Sequence, residues 1–250
     1  MPLAIRALHV GTMVDHPKRS VTFGRGDGIT VDVVVIMFLI TGGDHPIIVD
    51  TGTGSPEETL ARHGFPFVRP PEQAPLAALA AAGVDPAEVK TVVNTHLHWD
   101  HCSNNDLFPN ARILVQKEEL AYAIDPLPTN QWTYERRAGI EPCWMKGFDR
   151  IETVEGDVDI MPGVRIVHLP GHSPGSQGVV VDAPSGPYLI AGDCVTYHEN
   201  WDGDERLAHI PSGGVTNMHD FFASFDKIEQ LGCTVIPSHD PRVVARGVFA

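Results

Sequence analysis

Thr95 to His101 reads THLHWDH and follows a short apolar run, Val89 to Val93, broken only by Lys90. His96, His98, Asp100 and His101 put three imidazoles and a carboxylate within six consecutive residues. Side chains alternate along an extended segment, so His96, His98 and Asp100 are expected to converge if the chain stays extended there, with His101 facing elsewhere. Neutral imidazole and carboxylate are the donors that suit zinc and neighbouring divalent metals, and donors offered in two directions can serve two ions. A single histidine in a polar loop is usually only solvated, but this density of donors reverses that reading.

A dinuclear site needs further donors, and three later stretches supply them. PGHSPGS, Pro170 to Ser176, places His172 in a Gly/Pro turn after the strand-like Val164 to Leu169. LIAGDC, Leu189 to Cys194, ends an apolar run at Asp193, and VIPSHD, Val235 to Asp240, ends another at His239. Each donor sits where a strand gives way to a loop, the usual place for a site built on a rigid scaffold.

Together these motifs, HxHxDH followed by a later His, Asp and His, resemble the metallo-β-lactamase superfamily over Ile47 to His239. The resemblance implies an α/β fold, a four-layer αββα sandwich, with a dinuclear metal site at the sheet edges. IIVDTG, Ile47 to Gly52, matches the early strand and turn of the family, where Asp50 supports the site from behind the ligands. By the same resemblance His96, His98 and His172 hold one zinc, Asp100, His101 and His239 hold the other, and Asp193 bridges them. The expected cofactors are therefore two zinc ions, with Mn, Fe or Co as alternatives. Spacing alone does not give that partition.

The length of 250 residues suits one domain, and a single unit over residues 1–250 is expected, with 125–150 and 195–217 as active-site or dimer-contact insertions. The 32 acidic residues against 18 basic ones leave a net charge of −14, which argues against nucleic acid as a partner. Cys102, Cys143, Cys194 and Cys233 are widely spaced without a CxxC pair, so no disulfide framework is implied. Cys102 and Cys194 follow presumed ligands and are read as small packed residues. The N-terminal stretch does not resemble a signal peptide, and the longest apolar run, Val31 to Ile40, is far short of a membrane span. A cytoplasmic protein without a membrane partner is expected.

In chain order, Leu3 to Val10 reads as a first strand, and ITVDVVVIMFLIT, Ile29 to Thr41, as a strand buried on both faces with His45 to Asp50 as its hairpin partner. The GFPFV piece around Phe65 and Phe67 is either packing or substrate wall. Glu72 to Gly83 reads as an alanine-rich helix, Ala111 to Gln116 as a strand and Lys117 to Ile124 as a short helix. Asp125 to Arg150 fits neither period, and its aromatic content favours a lid or dimer contact over disorder. Ile151 to Glu155, Val164 to His168, Gln177 to Asp182 and Tyr188 to Ala191 read as a second sheet, and Met218 to Leu231 as a helix capped by Gly232. His168 is expected to pack within its strand, outside the ligand set.

A dimetal site of this kind is expected to hydrolyse a carbonyl substrate by attack of a bridging hydroxide, with Asp100 carrying a proton to the leaving group. Superfamily membership alone does not name the substrate. Within the resemblance, His98 stands where flavodiiron proteins place glutamate, and His101 and Asp193 where the main class B β-lactamases carry arginine and cysteine. The length, the IVDTG turn and the SHD ending agree with N-acyl homoserine lactonases, so a lactone or related ester is the expected substrate and a homodimer the expected assembly. A glyoxalase II-like thioesterase is the alternative, and a non-catalytic metal-binding protein a weaker one. In the lactonase-like branch a tyrosine three residues after the bridging aspartate contacts substrate. Tyr197 lies four residues after Asp193, which leaves that contact open.

Overall fold

The computed structural model describes residues 2–250. The first sheet contains β1 (Ala4–Pro17), β2 (Thr30–Thr41), β3 (Ile47–Val49), β4 (Phe67–Val68), β5 (Thr91–Val93), β6 (Arg112–Gln116) and β7 (Ile151–Val154). The second contains β8 (Val158–Met161), β9 (Val164–His168), β10 (Gln177–Ala183), β11 (Gly186–Ile190) and β12 (Thr234–Ile236), and β13 (Val248–Phe249) returns to the first. Their spatial orders are β13-β1-β2-β3-β5-β6-β7, with β4 beside β1, and β12-β11-β10-β9-β8. The helices are α1 (Pro56–His63), α2 (Pro75–Ala81), α3 (Trp99–Cys102), α4 (Lys117–Ile124), α5 (His198–Asp202), α6 (Met218–Leu231) and α7 (Pro241–Arg246).

The period-2 geometry of β2 explains why it is apolar almost throughout. Val33, Val35, Met37 and Leu39 enter one core with Leu79 and Ala123 of the helices, while Val34, Ile36, Phe38 and Ile40 enter another with Val164, Ile166, Val179 and Ile190 of the second sheet. The far face of the second sheet, at Val167, Leu169 and Leu189, is covered by Phe221, Phe225 and Ile228 of α6. Helix, sheet, sheet, helix follow in that order. None of the helices is long and apolar enough to cross a membrane among the described residues.

Most elements lie where the sequence places them, and the departures have physical reasons. Strand β1 runs on to Pro17 through two register shifts opposite β2. Helix α2 begins at Pro75, a residue that is favoured at the first helical position and blocks propagation from Glu72. The segment expected to open the second sheet, Ile151 to Glu155, instead pairs in parallel with β6 as the edge of the first, with Ile113 opposite Ile151. A parallel partner requires a long crossover, and α4 with residues 125–150 provides it. The second sheet starts at β8.

Two buried carboxyl groups attach that crossover to the rest of the molecule. Glu119 on α4, fully buried, accepts from the Leu97 amide (2.9 Å), Tyr134 Oη (2.7 Å), Ser173 Oγ (2.6 Å) and the Gly175 amide (3.2 Å). It thereby joins the THLHWDH loop, the PGHSPGS loop and the crossover. Glu135, with left-handed φ of 54°, accepts from His63 Nε2 (2.9 Å), Arg62 Nη1 (3.0 Å) and the Cys143 amide (2.7 Å), fastening the crossover to α1. Arg137, Lys146 and Arg150 of the 125–150 segment donate to the carbonyls of Arg62, Ser103 and Asn105.

Burial alone would raise the Glu135 carboxyl, but the hydrogen bonds from His63 and Cys143 and the charge of Arg62 together bring it from 4.5 down to about 2. A depressed folded-state value means stabilisation that is complete above about pH 4.5 and is lost as the pH falls toward about 2. Glu135→Gln removes that dependence. Between about pH 5 and about pH 3 the parent should therefore lose about 1–2 kcal/mol more than the variant in urea denaturation, a difference insensitive to metal loss common to both.

Candidate metal centre

The donors leave the C-terminal ends of their strands. Asp50 follows β3, the THLHWDH loop follows β5, His172 follows β9, Asp193 follows β11 and His239 follows β12. Glycines permit the close approach of these loops. Gly171 has φ of 133°, and a Cβ there would lie 2.5 Å from the Phe221 backbone. A Cβ on Gly214 would lie 2.8 Å from the His172 ring.

The expectation that His96, His98 and Asp100 share one extended face is corrected by the structure. His98 is extended, but Trp99–Cys102 turns into helix α3, which takes Asp100 off that face and leaves the His101 ring 4.1 Å, centroid to centroid, from His96. Three overlapping groups result: His96 with His98 and His172, His96 with His101 and Asp193, and Asp100 with His101 and His239, their donor atoms within 4.8 Å of one another. The structure thus brings together all of the ligand residues expected from the sequence. Asp193 stands between the groups. Its Oδ1 lies 3.4 Å from His101 Nε2 and 3.1 Å from His239 Nε2, and its Oδ2 lies 3.5 Å from His172 Nε2.

The hydrogen bonds behind the rings decide which nitrogen faces inward. Thr95 Oγ1 gives its proton to Asp50 Oδ2 at 2.8 Å and so can only accept from His96 Nδ1 at 3.1 Å, which leaves the His96 Nε2 lone pair bare. His101 Nδ1 donates to Asp50 Oδ2 (2.8 Å), His172 Nδ1 to the Gly214 carbonyl (2.8 Å) and His239 Nδ1 to the Val34 carbonyl (2.9 Å). His98 differs, presenting Nδ1 3.1 Å from His172 Nε2.

A cation fits these residues. The Nε2 atoms of His96 and His101 are buried without a hydrogen-bond partner, a costly state for a polar atom unless something else meets it. Burial first, and then the neighbouring imidazoles, hold His96 and His98 well below the ordinary histidine value, as neutral donors. Burial opposes protonation of His101 too, but Asp100, Asp193 and Asp50 outweigh it and hold that ring well above the ordinary value. Negative potential concentrated in this part of the cluster favours a bound cation.

The cluster opens into a cavity of about 260 Å³ whose lining includes Met13, Val21, Val33, Phe65, Trp99 and Trp132. Phe65 is thus wall, whereas Phe67 packs beneath Gly11. Thr129, Asn130 and Thr133 of the 125–150 segment and Thr196, Gly213 and Gly214 of the 195–217 segment also line it, while Tyr134 and Trp144 are buried in the core. His168 lies outside the cluster, with Nε2 donating to the Pro174 carbonyl.

Tyr197 does not reach the cavity. Its hydroxyl donates to the Asp32 carbonyl at 2.8 Å, and its ring packs against the first core. Tyr197 is the N-cap residue of α5 and is not part of the cavity lining. Sequence reasoning missed Glu119, whose polar character in a short helix gives no signal of its partners, and His16, which lines the cavity from β1.

The metallo-beta-lactamase superfamily profile matches residues 30–233. Among curated relatives, an N-acyl homoserine lactonase from Azorhizobium caulinodans is 30% identical, the match covering 89% of this chain and 88% of the relative. An N-acyl homoserine lactonase from a Bacillus species is 27% identical over 91% of this chain and 94% of the relative. Among solved structures, an N-acyl homoserine lactone hydrolase with N-hexanoyl-L-homoserine at its metal centre superposes with a TM-score of 0.75 at 22% identity, covering 96% of this chain and 93% of that one. With the family profile spanning residues 30–233 and a 30% identical relative matched along most of its length, the chain belongs to the metallo-beta-lactamase superfamily.

Proposed function

We propose that the chain is a metal-dependent hydrolase that opens the ring of N-acyl homoserine lactones or closely related lactones. The carrying observation is a buried His/Asp donor cluster under an apolar and aromatic cavity, in a chain whose curated relatives of nearly equal length are N-acyl homoserine lactonases. In this reading His96, His98 and His172 hold one divalent ion and Asp100, His101 and His239 the other, with Asp193 shared. The ions, zinc by preference, supply Lewis acidity toward the ester carbonyl and lower the pKa of water when bound.

The residues of the chain perform the remaining work. Asp50, Gly214 and Val34 fix the inward nitrogens of His101, His172 and His239. Asp100 lines the cavity and lies within 3.7 Å of His101 and 3.8 Å of His239, positioned to pass a proton from the attacking water to the departing alkoxide. Met13, Val21, Phe65 and Trp132 exclude water around an acyl chain, and the acidic surface suits an uncharged substrate better than an anionic one. Exposed Leu127, Met145 and Phe148 on the 125–150 segment support a homodimer contact.

Chelation should abolish opening of N-hexanoyl homoserine lactone, and two equivalents of zinc should restore it. Cleavage of S-lactoylglutathione with no action on lactones would instead establish the thioesterase reading. Asp100→Asn should lower kcat by about a hundredfold or more, whereas Tyr197→Phe should change kcat/KM less than about threefold, because its hydroxyl is engaged with Asp32. Sedimentation of the parent should give a dimer that Leu127→Glu with Phe148→Glu converts to monomer; a monomeric parent removes the dimer from the reading.

A further inference from the structure

The β1–β2 ladder contains an irregularity aimed at the cavity. Met13 pairs with Val33 and His16 with Val31, so three steps along β1 oppose two along β2. The extra residue is a β-bulge, which reverses the facing of every residue beyond it. Asp15 within it adopts a left-handed φ of 54°, uncommon for a residue with a Cβ, and its amide is held by Asp32 Oδ1 at 3.3 Å. As a result Met13 and His16, three residues apart, both line the same wall. A regular strand would turn one of them outward.

His16 is the only imidazole on that wall outside the ligand set, and its ring packs edge-on against Phe65 with centroids 4.5 Å apart. Nδ1 is sealed from solvent without a hydrogen-bond partner, while Nε2 is not sealed and has no protein partner among the described residues. The hydroxyls that share the cavity lining give their protons elsewhere, so none of them favours a lone pair on Nε2. Ser20 donates to the Pro17 carbonyl, Thr133 to the Asn130 carbonyl, Thr196 to the Val21 carbonyl and Thr129 to Asn130 Oδ1. A sealed N–H with no acceptor is costlier than a sealed lone pair, so the neutral ring carries its proton on Nε2, toward the cavity. Burial lowers the ring from the ordinary 6.5, with lesser and opposed effects of Asp100 and His239, which agrees with a neutral donor.

We propose that His16 is a substrate-contacting residue, its Nε2–H donating to a carbonyl oxygen of the bound acyl homoserine lactone. The inference rests on the lactonase reading for the identity of the ligand, and on the bulge and the uncommitted nitrogen for the contact itself. A site built to hydrogen-bond a substrate loses strongly when the donor is removed and the pocket shape kept.

The test compares the zinc-loaded parent with His16→Phe, which keeps an aromatic ring but no donor, and His16→Gln, which keeps a donor, on N-hexanoyl homoserine lactone. His16→Phe should lower kcat/KM about tenfold or more and His16→Gln less than about threefold, with zinc content and melting temperature near those of the parent. Equal activity of His16→Phe and parent, or an equal loss in both variants, overturns the proposal, the latter because ring packing would then be the whole effect. Nitrogen-15 histidine spectra of the zinc-loaded parent, assigned with His16→Gln, should show the proton on Nε2, and a proton on Nδ1 overturns the proposal independently of any substrate. A parent that opens no lactone while showing the Nε2 proton would overturn the lactonase reading and leave the donor standing.

Discussion

The hydrogen bonds that Thr95 and His101 make to the buried carboxylate of Asp50 are the constraint from which the site follows. Asp50 accepts the Thr95 amide at 2.7 Å on one oxygen and the Thr95 hydroxyl and His101 Nδ1, each at 2.8 Å, on the other. Through Thr95 it orients His96, and through its own contact it orients His101, so one side chain aligns rings in different groups of the cluster. Asp50 itself takes a left-handed φ of 59°, a conformation that costs energy and persists because its partners hold it. Burying this much polarity is tolerable only where each member has a partner, and the inward nitrogens are placed to meet a cation.

The two-sheet core supplies the rigidity that lets separate loops act as one site. The packed face of β2 against the second sheet fixes how the strand ends of both sheets meet, and Glu119 adds a polar tie between the loops bearing His98 and His172. Neither feature is chemical in itself. Each removes freedom that the ligands would otherwise lose on binding metal.

Selection of substrate is assigned to different parts of the chain from metal binding. The candidate donors come from strand ends, whereas much of the cavity wall comes from the bulged end of β1, Phe65 before β4, the crossover between β6 and β7, and the loop after β11. Such segments vary without disturbing the core, which is why one metal scaffold serves many substrates. Tyr197, which donates to the Asp32 carbonyl, and His16, which lines the cavity, both lie in such segments.

The amino-acid sequence by itself marked the histidine-rich donor stretch, the double-sided burial of β2, the α6 helix and its Gly232 cap, and the placement of candidate donors at strand ends. These depend on local spacing and periodicity, which are properties of consecutive residues. The tertiary structure alone decided that residues 151–154 join the first sheet, that Asp100 and His101 leave the extended face through a helical turn, and that Glu119, Glu135 and His16 meet the partners and cavity they do. Strand partnership and side-chain satisfaction are set by packing between residues far apart in the chain, and no local pattern encodes which distant group will fill the remaining hydrogen bond or the open wall.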